Sequence, residues 1–169
     1  MDLEVDKLPK DDSLQKQYEA QILLRMTYIS RYNSDNANIE VARILEQSRR
    51  NNESNGITGV LVMNENYFLQ VIEGSRAVIN TLLQKLIKDE RHTSLRIVEC
   101  HEVQQRHWSK WSMQYLTLSE QHKEDVLKFS PEAKFNPYLM TASQIKLFIK
   151  ALSKRQKRQE KRVSKMKDV

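Results

Sequence analysis

The stretch NNESNGITGVLVMNENYFLQVIEG, Asn51 to Gly74, decides the fold. It contains all three glycines of the 169-residue chain, Gly56, Gly59 and Gly74. Two apolar runs, residues 57–63 and 67–72, flank the polar tripeptide Asn64-Glu65-Asn66. That pattern predicts a β-hairpin with a short turn. In the second run Phe68, Gln70 and Ile72 share one face, and Tyr67, Leu69 and Val71 share the other. Both faces are apolar, so the strand is expected to be buried on both sides. Gln70 then carries a carboxamide into a dry place, where leaving it unpaired costs roughly 1–3 kcal/mol. What pairs with that amide is the functional question the sequence poses.

Upstream of the hairpin, residues 22–29 (ILLRMTYI) read as a strand with Ile22, Leu24, Met26 and Tyr28 on one face. Tyr28 places a phenol among apolar neighbours, and a buried phenol calls for a hydrogen-bond partner. Asn36 or Asn38 is expected to cap a helix over 39–51. Downstream, Ser75 is expected to cap a second helix that runs to about Lys88, with Val78, Leu82 and Leu86 inward. A strand of mixed polarity follows over 95–103. A polar connection over 104–110 leads to a last strand, 111–118, with Trp111, Met113 and Tyr115 on one face. The order β-α-β-β-α-β-β gives an α+β class. The expected architecture is a ferredoxin-like five-stranded mixed sheet with two helices on one face.

Two further helices are expected over 119–129 and 141–152, with Pro131 and Pro137 between them. Ile145, Phe148, Ile149 and Leu152 form a stripe that either covers the open sheet face or meets a second copy of the chain. Residues 1–20 read as an extension, disordered or loosely helical. The folded body is expected over 21–119, a helical extension over 120–152 and a fraying basic tail over 153–169.

Composition removes many functions. The net charge of +6 matches that of residues 153–169 alone, where eight Lys/Arg face Glu160 and Asp168. The charge therefore says little about the folded body. No GxGxxG and no P-loop occurs. A single cysteine, Cys100, excludes an internal disulfide and fits a reducing cytoplasm. The first residues do not read as a signal peptide, and no apolar run is long enough to cross a bilayer. His92, His101, His107 and His122 lack metal-ligand spacing, and no nucleophile elbow occurs. An enzyme is therefore not expected, nor is a metal.

What remains unusual is a phenol and amides at core-like positions: Tyr28, Asn51, Asn52 and Gln70. Singly, each reads as a satisfied polar core residue or part of a helix end. Together they fit a ligand with alternating donors and acceptors on one edge, and an isoalloxazine ring has such an edge.

The sequence resembles the BLUF domain family, the flavin-binding blue-light sensors. The resemblance is carried by TYIS around Tyr28, the pair Asn51-Asn52, NGITGVL (55–61), FLQVIEG (68–74), KDERH (88–92) and WSM (111–113). The segment SPEAKFNPYLMTASQ (130–144) is similar to the C-terminal part of short stand-alone members. The resemblance implies that Tyr28 donates an electron and then a proton to the excited flavin. It implies that Gln70 bridges the phenol and the ring, with a hydrogen-bond rearrangement that shifts absorption to the red. Asn51 and Asn52 are implied as the polar wall, and Ser30, Trp111 and Met113 as the surroundings of the pair. Trp111 and Met113 would report the switch, while Arg91 and His92 would lie near the ring. Lys85, where relatives often carry arginine, would face the ribityl or phosphate side. FAD is the implied cofactor, with FMN and riboflavin as alternatives. A downstream protein regulator and a homo-oligomer are the implied partners. The rival readings are a cofactor-free interaction module and a nucleic-acid binder acting through the basic tail.

Overall fold

The computed structural model describes residues 12–32, 37–90, 92–109, 113–116, 118, 123–129 and 134–167. Its elements, in chain order, are α1 (Asp12–Gln21), β1 (Leu23–Tyr32), α2 (Ala37–Ser54), β2 (Thr58–Met63) and β3 (Tyr67–Ser75). There follow α3 (Arg76–Lys88), β4 (His92–Glu102), β5 (Gln114–Leu116), α4 (Lys123–Leu127), a 3-10 turn (Pro137–Leu139) and α5 (Ala142–Lys167). The five strands form one sheet in the order β4-β1-β3-β2-β5. β3 lies antiparallel between β1 and β2, and β5 adds in parallel to the free side of β2. The ferredoxin-like plan with one extra strand is therefore present.

The hairpin forms where the sequence places it. Asn64 Oδ1 accepts from the backbone N–H groups of Asn66 and Tyr67, and Asn64 N–H donates to the Tyr67 carbonyl, which closes the turn. Gly59 is needed for a close approach. A Cβ there would stand 2.2 Å from the carbonyl oxygen of Val71, a backbone atom of the next strand. Gly56, at φ +63°, ends α2. Ile57 N–H bonds the Asn52 carbonyl and Gly56 N–H that of Glu53, the paired bonds of a Schellman cap.

β3 is buried from Phe68 to Gly74, so both faces need cover. On one face, Leu24, Met26, Tyr28, Leu61, Phe68 and Ile72 pack with Leu45 of α2 and Ile79 of α3. On the other, Ile29, Val60, Val62, Leu69 and Val71 pack with Ile145, Phe148, Ile149 and Leu152 of α5. The α5 stripe thus covers the chain's own sheet, one of the two roles the sequence left open for it. Ser75 caps α3 as expected, accepting from Val78 N–H at 3.4 Å.

Within the extension expected to be disordered or loosely helical, residues 12–21 form α1, which rests on α3 and β3. One expectation about order is corrected. The basic tail does not fray at Ser153, because α5 continues to Lys167. Both segments lack glycine and proline and are rich in Lys, Arg, Gln and Glu, which propagate a helix already nucleated by a packed neighbour.

Gly59→Ala is expected to lower stability by about 1–3 kcal/mol, because the methyl group meets backbone and not a movable side chain. Chemical denaturation of the two forms checks it, and equal midpoints would refute the close approach.

Candidate functional site

The pairing of β1 with β3 builds the site. Tyr28 stands directly opposite Gln70, and Ser30 opposite Phe68. Opposed residues of an antiparallel pair point to the same face with Cβ atoms about 5 Å apart. The phenol and the carboxamide therefore meet: Tyr28 Oη donates to Gln70 Oε1. Tyr28 is 2 % exposed and Gln70 8 %. On the other side of β1 the pairing with β4 slips between Thr27 and Tyr28, a bulge that increases local twist beside the phenol.

The amide's other end makes a weaker contact. Gln70 Nε2 lies 4.0 Å from Met113 Sδ, and a thioether is a weak acceptor. Among the described residues, its two N–H donors thus have this one poor partner between them. Met113 immediately precedes β5, and its carbonyl accepts from Arg49 Nε of α2 at 3.2 Å.

These groups line a cavity of about 200 Å³ between α2 and α3. Its walls are Ile44, Phe68, Ile72, Leu82 and Leu86, and its polar groups include Tyr28, Gln70, Asn51, Asn52, Lys85 and Asp89. A second chamber of about 280 Å³ shares Asn51, Asn52, Leu82 and Lys85 and extends toward the start of α3. Asn52 is buried and Asn51 exposed. The Schellman cap at Gly56 fixes the Asn52 backbone and so directs its side chain.

Burial pushes the Tyr28 phenol well above its ordinary value of 10.0, and the Asp89 carboxylate adds to the rise. The pair is thus a neutral phenol donating to a carboxamide throughout the physiological range. The cavity also fits the flavin that the sequence implies. Its side walls include Ile44, Ile72, Leu82 and Leu86, an apolar lining that suits a flat ring, and the amide donors of Gln70 would meet carbonyl or imine acceptors on a ring edge.

Of the ten residues singled out from sequence, the structure brings together Tyr28, Gln70, Asn51, Asn52, Lys85 and Met113. Ser30 is fully buried on the same face of β1 but does not line the cavity. His92 opens β4, opposite Tyr32. Arg91 and Trp111 lie outside the described residues. Gln47, Ser48 and Asp89 also line the cavity, and sequence reasoning missed them. Gln47 and Ser48 sit one helical turn before Asn51 and Asn52, a spacing that could have found them. Asp89 lies within the KDERH motif but was not singled out.

Fold and site define a small α+β class, in which two helices on a sheet enclose a cavity that ends in a buried phenol–carboxamide pair. The family model described as "Sensors of blue-light using FAD" (BLUF) matches residues 23–114, more than half of the chain. Among solved structures, the chain is 30% identical to BlsA in its photo-activated state, covering 77% of this chain and 94% of that one with a TM-score of 0.68. The dark-state structure of the BLUF protein BlrB is 26% identical, with a TM-score of 0.57 over 67% of this chain and 82% of that one. Among curated proteins, photoactivated adenylate cyclase subunit beta of Euglena gracilis is 28% identical over 64% of this chain and 12% of its own length. The blue light- and temperature-regulated antirepressor BluF of Escherichia coli is 23% identical over 63% of this chain and 27% of its own. The chain thus spans a small part of these curated relatives. It belongs to the BLUF family, and its domain is a blue-light sensor that uses FAD.

The raised phenol has a consequence for stability. In the unfolded chain Tyr28 ionises near pH 10, while in the fold it stays protonated. Its contribution is therefore complete below pH 10 and is lost as pH rises above it. Stability is expected to fall between about pH 9.5 and 11 more steeply than in Tyr28→Phe. Denaturation at a series of pH values checks this, and parallel curves would contradict it.

Proposed function

We propose that Tyr28 and Gln70 are the photoactive pair, that Met113 reads out their state, and that output passes to a downstream protein regulator. The observation that carries this is the buried amide of Gln70, held at its oxygen by the Tyr28 phenol and, among the described residues, at its nitrogen by the sulfur of Met113. Asn52, Asn51 and Lys85 would hold the flavin, with the apolar side chains of α2 and α3 excluding water. When bound, the flavin supplies absorption of blue light and an excited state that accepts an electron.

The chain's own part is proton and amide chemistry. The proton on Tyr28 Oη already points at Gln70 Oε1, so its transfer needs no prior rearrangement. A carboxamide is asymmetric, with an acceptor at one end and two donors at the other. Once the Oη–Oε1 bond is broken, rotation or tautomerisation of the amide exchanges what it presents to the phenol, to the ring edge and to Met113 Sδ. The sulfur contact is the weakest of these and the first to be given up. β5 is three residues long and held by β2 on one side, so a small change at Met113 biases its packing. No bond of the cofactor need be made or broken, so the reading is a switch and not an enzyme. The Escherichia coli relative is an antirepressor, which supports output through a regulator. A cytoplasmic site of action belongs to the same reading, and among the described residues no helix is long and apolar enough to cross a membrane. A homo-oligomer loses the α5 stripe that pointed to it, because those residues are buried in the chain itself.

Purified protein is expected to be yellow and to shift to the red under blue light. Gln70→Leu and Tyr28→Phe are expected to keep the flavin and lose the shift. A normal shift in either variant would remove that residue from the mechanism.

A further inference from the structure

The sheet face opposite the flavin cavity carries a second concavity, of about 620 Å³, between α5 and the loop that follows β4. Its floor is Val71, Ile145 and Ile149, and its wall is Trp108 with His107. Cationic side chains rim it. Arg25 is neutralised by Glu73 at 2.8 Å, and Lys146 by Glu99 at 3.0 Å. Lys150, Lys154 and Lys157 form no ion pair among the described residues. They recur at i, i+4 and i+7, so they stand in one row on the helix, about 10 Å long. Like charges at this spacing repel by a few tenths of a kcal/mol in an isolated helix, and an anionic neighbour would relieve that.

The wall is tied to the switch. The Glu73 carboxylate, fully buried, accepts from the backbone N–H groups of His107 (3.0 Å) and Trp108 (3.1 Å) and from the Arg25 guanidinium. Arg106 donates to the Glu73 carbonyl and to Thr58 Oγ1. Arg25 also lies over the Trp108 ring, 5.8 Å from its centroid. Glu73 is three residues along β3 from Gln70, and Met113 is five residues beyond Trp108. One strand therefore holds the photoactive amide on one face and the groove wall on the other.

We infer that this groove is the docking site for an acidic amphipathic segment of the downstream regulator. Carboxylates one helical turn apart meet the row Lys150, Lys154 and Lys157, and an apolar side chain seats against Trp108. The charge row and the apolar floor together select this partner. A nucleic-acid backbone would use the lysines but would find Glu99 and an aliphatic floor where it needs further cations or base-reading groups. The inference rests on the proposed output by protein contact and names the chemistry of that contact.

The test uses full-length, flavin-loaded protein and a fluorescein-labelled peptide of about four helical turns, with Glu on one stripe and Leu on the other. Fluorescence anisotropy at about 150 mM salt measures its affinity in darkness and under blue light. Lys150→Glu/Lys154→Glu/Lys157→Glu and, separately, Trp108→Ala are expected to weaken binding at least about tenfold, with the flavin red shift retained. Lys161→Glu/Lys165→Glu, further along the same helix, is expected to leave binding within about twofold, and illumination is expected to change the wild-type affinity by more than that. The inference is overturned if wild type does not bind the peptide, or if the Lys161/Lys165 variant loses as much as the groove variant. Equal affinity in dark and light also overturns it, as does tighter binding of duplex DNA through the same three lysines. Absence of the red shift in wild type would instead sink the photoreceptor reading, an outcome the spectrum shows independently of the anisotropy.

Discussion

The register between β1 and β3 is the constraint on which the rest depends. With Tyr28 opposite Gln70, Arg25 falls opposite Glu73. The two pairs are three residues apart, so they project to opposite faces of the sheet. The first is the phenol–carboxamide pair in the cavity between α2 and α3. The second is an ion pair between the half-buried Arg25 and the fully buried Glu73, whose carboxylate also holds the loop leading to β5. A slip of one residue would exchange the faces and destroy both. The close approach at Gly59 and the hairpin closed by Asn64 hold β2 and β3 in place, and the burial of both faces of β3 fixes the rest.

That rigidity makes a weak point useful. Gln70 sits in a strand that is buried on both sides, yet among the described residues its amide nitrogen meets a thioether sulfur, a weak acceptor. A buried polar group left short of partners costs on the order of 1–3 kcal/mol, so the site is poised to gain from any better acceptor. In the proposed mechanism the gain would pass to β5, the shortest described strand of the sheet. β5 has three paired residues, and Met113 beside it touches the amide through its side chain and α2 through its carbonyl. A change at the amide therefore has a short path to both the helix that walls the cavity and the edge of the sheet.

How much of this was legible depended on whether the cause was local. The hairpin, the Ser75 cap, the two-faced burial of β3 and the odd placement of Gln70 follow from alternation and turn chemistry, and the structure contains them all. β1 and β4 run further than their apolar residues indicated, because Arg31 and Thr93 are held by ladder pairing and not by burial. Glu73 reads in sequence as an ordinary charged residue at the end of an apolar run. Its burial is explained by Arg25, by Thr58 Oγ1 and by two backbone N–H groups more than thirty residues away. Trp108, in a stretch that reads as polar connection, gains its place from the same carboxylate. Asp89 was hidden for a similar reason, since its effect on Tyr28 needs α3 folded over β1.

The central claim is that the side-chain amide of Gln70 changes its bonding when the flavin absorbs light. The most direct measurement is the side-chain amide resonance of Gln70 in protein labelled with nitrogen-15 at glutamine, assigned by its loss in Gln70→Leu. One amide signal is expected to move reversibly under blue light, with the others unchanged. A red-shifted spectrum accompanied by a stationary Gln70 signal would contradict the account.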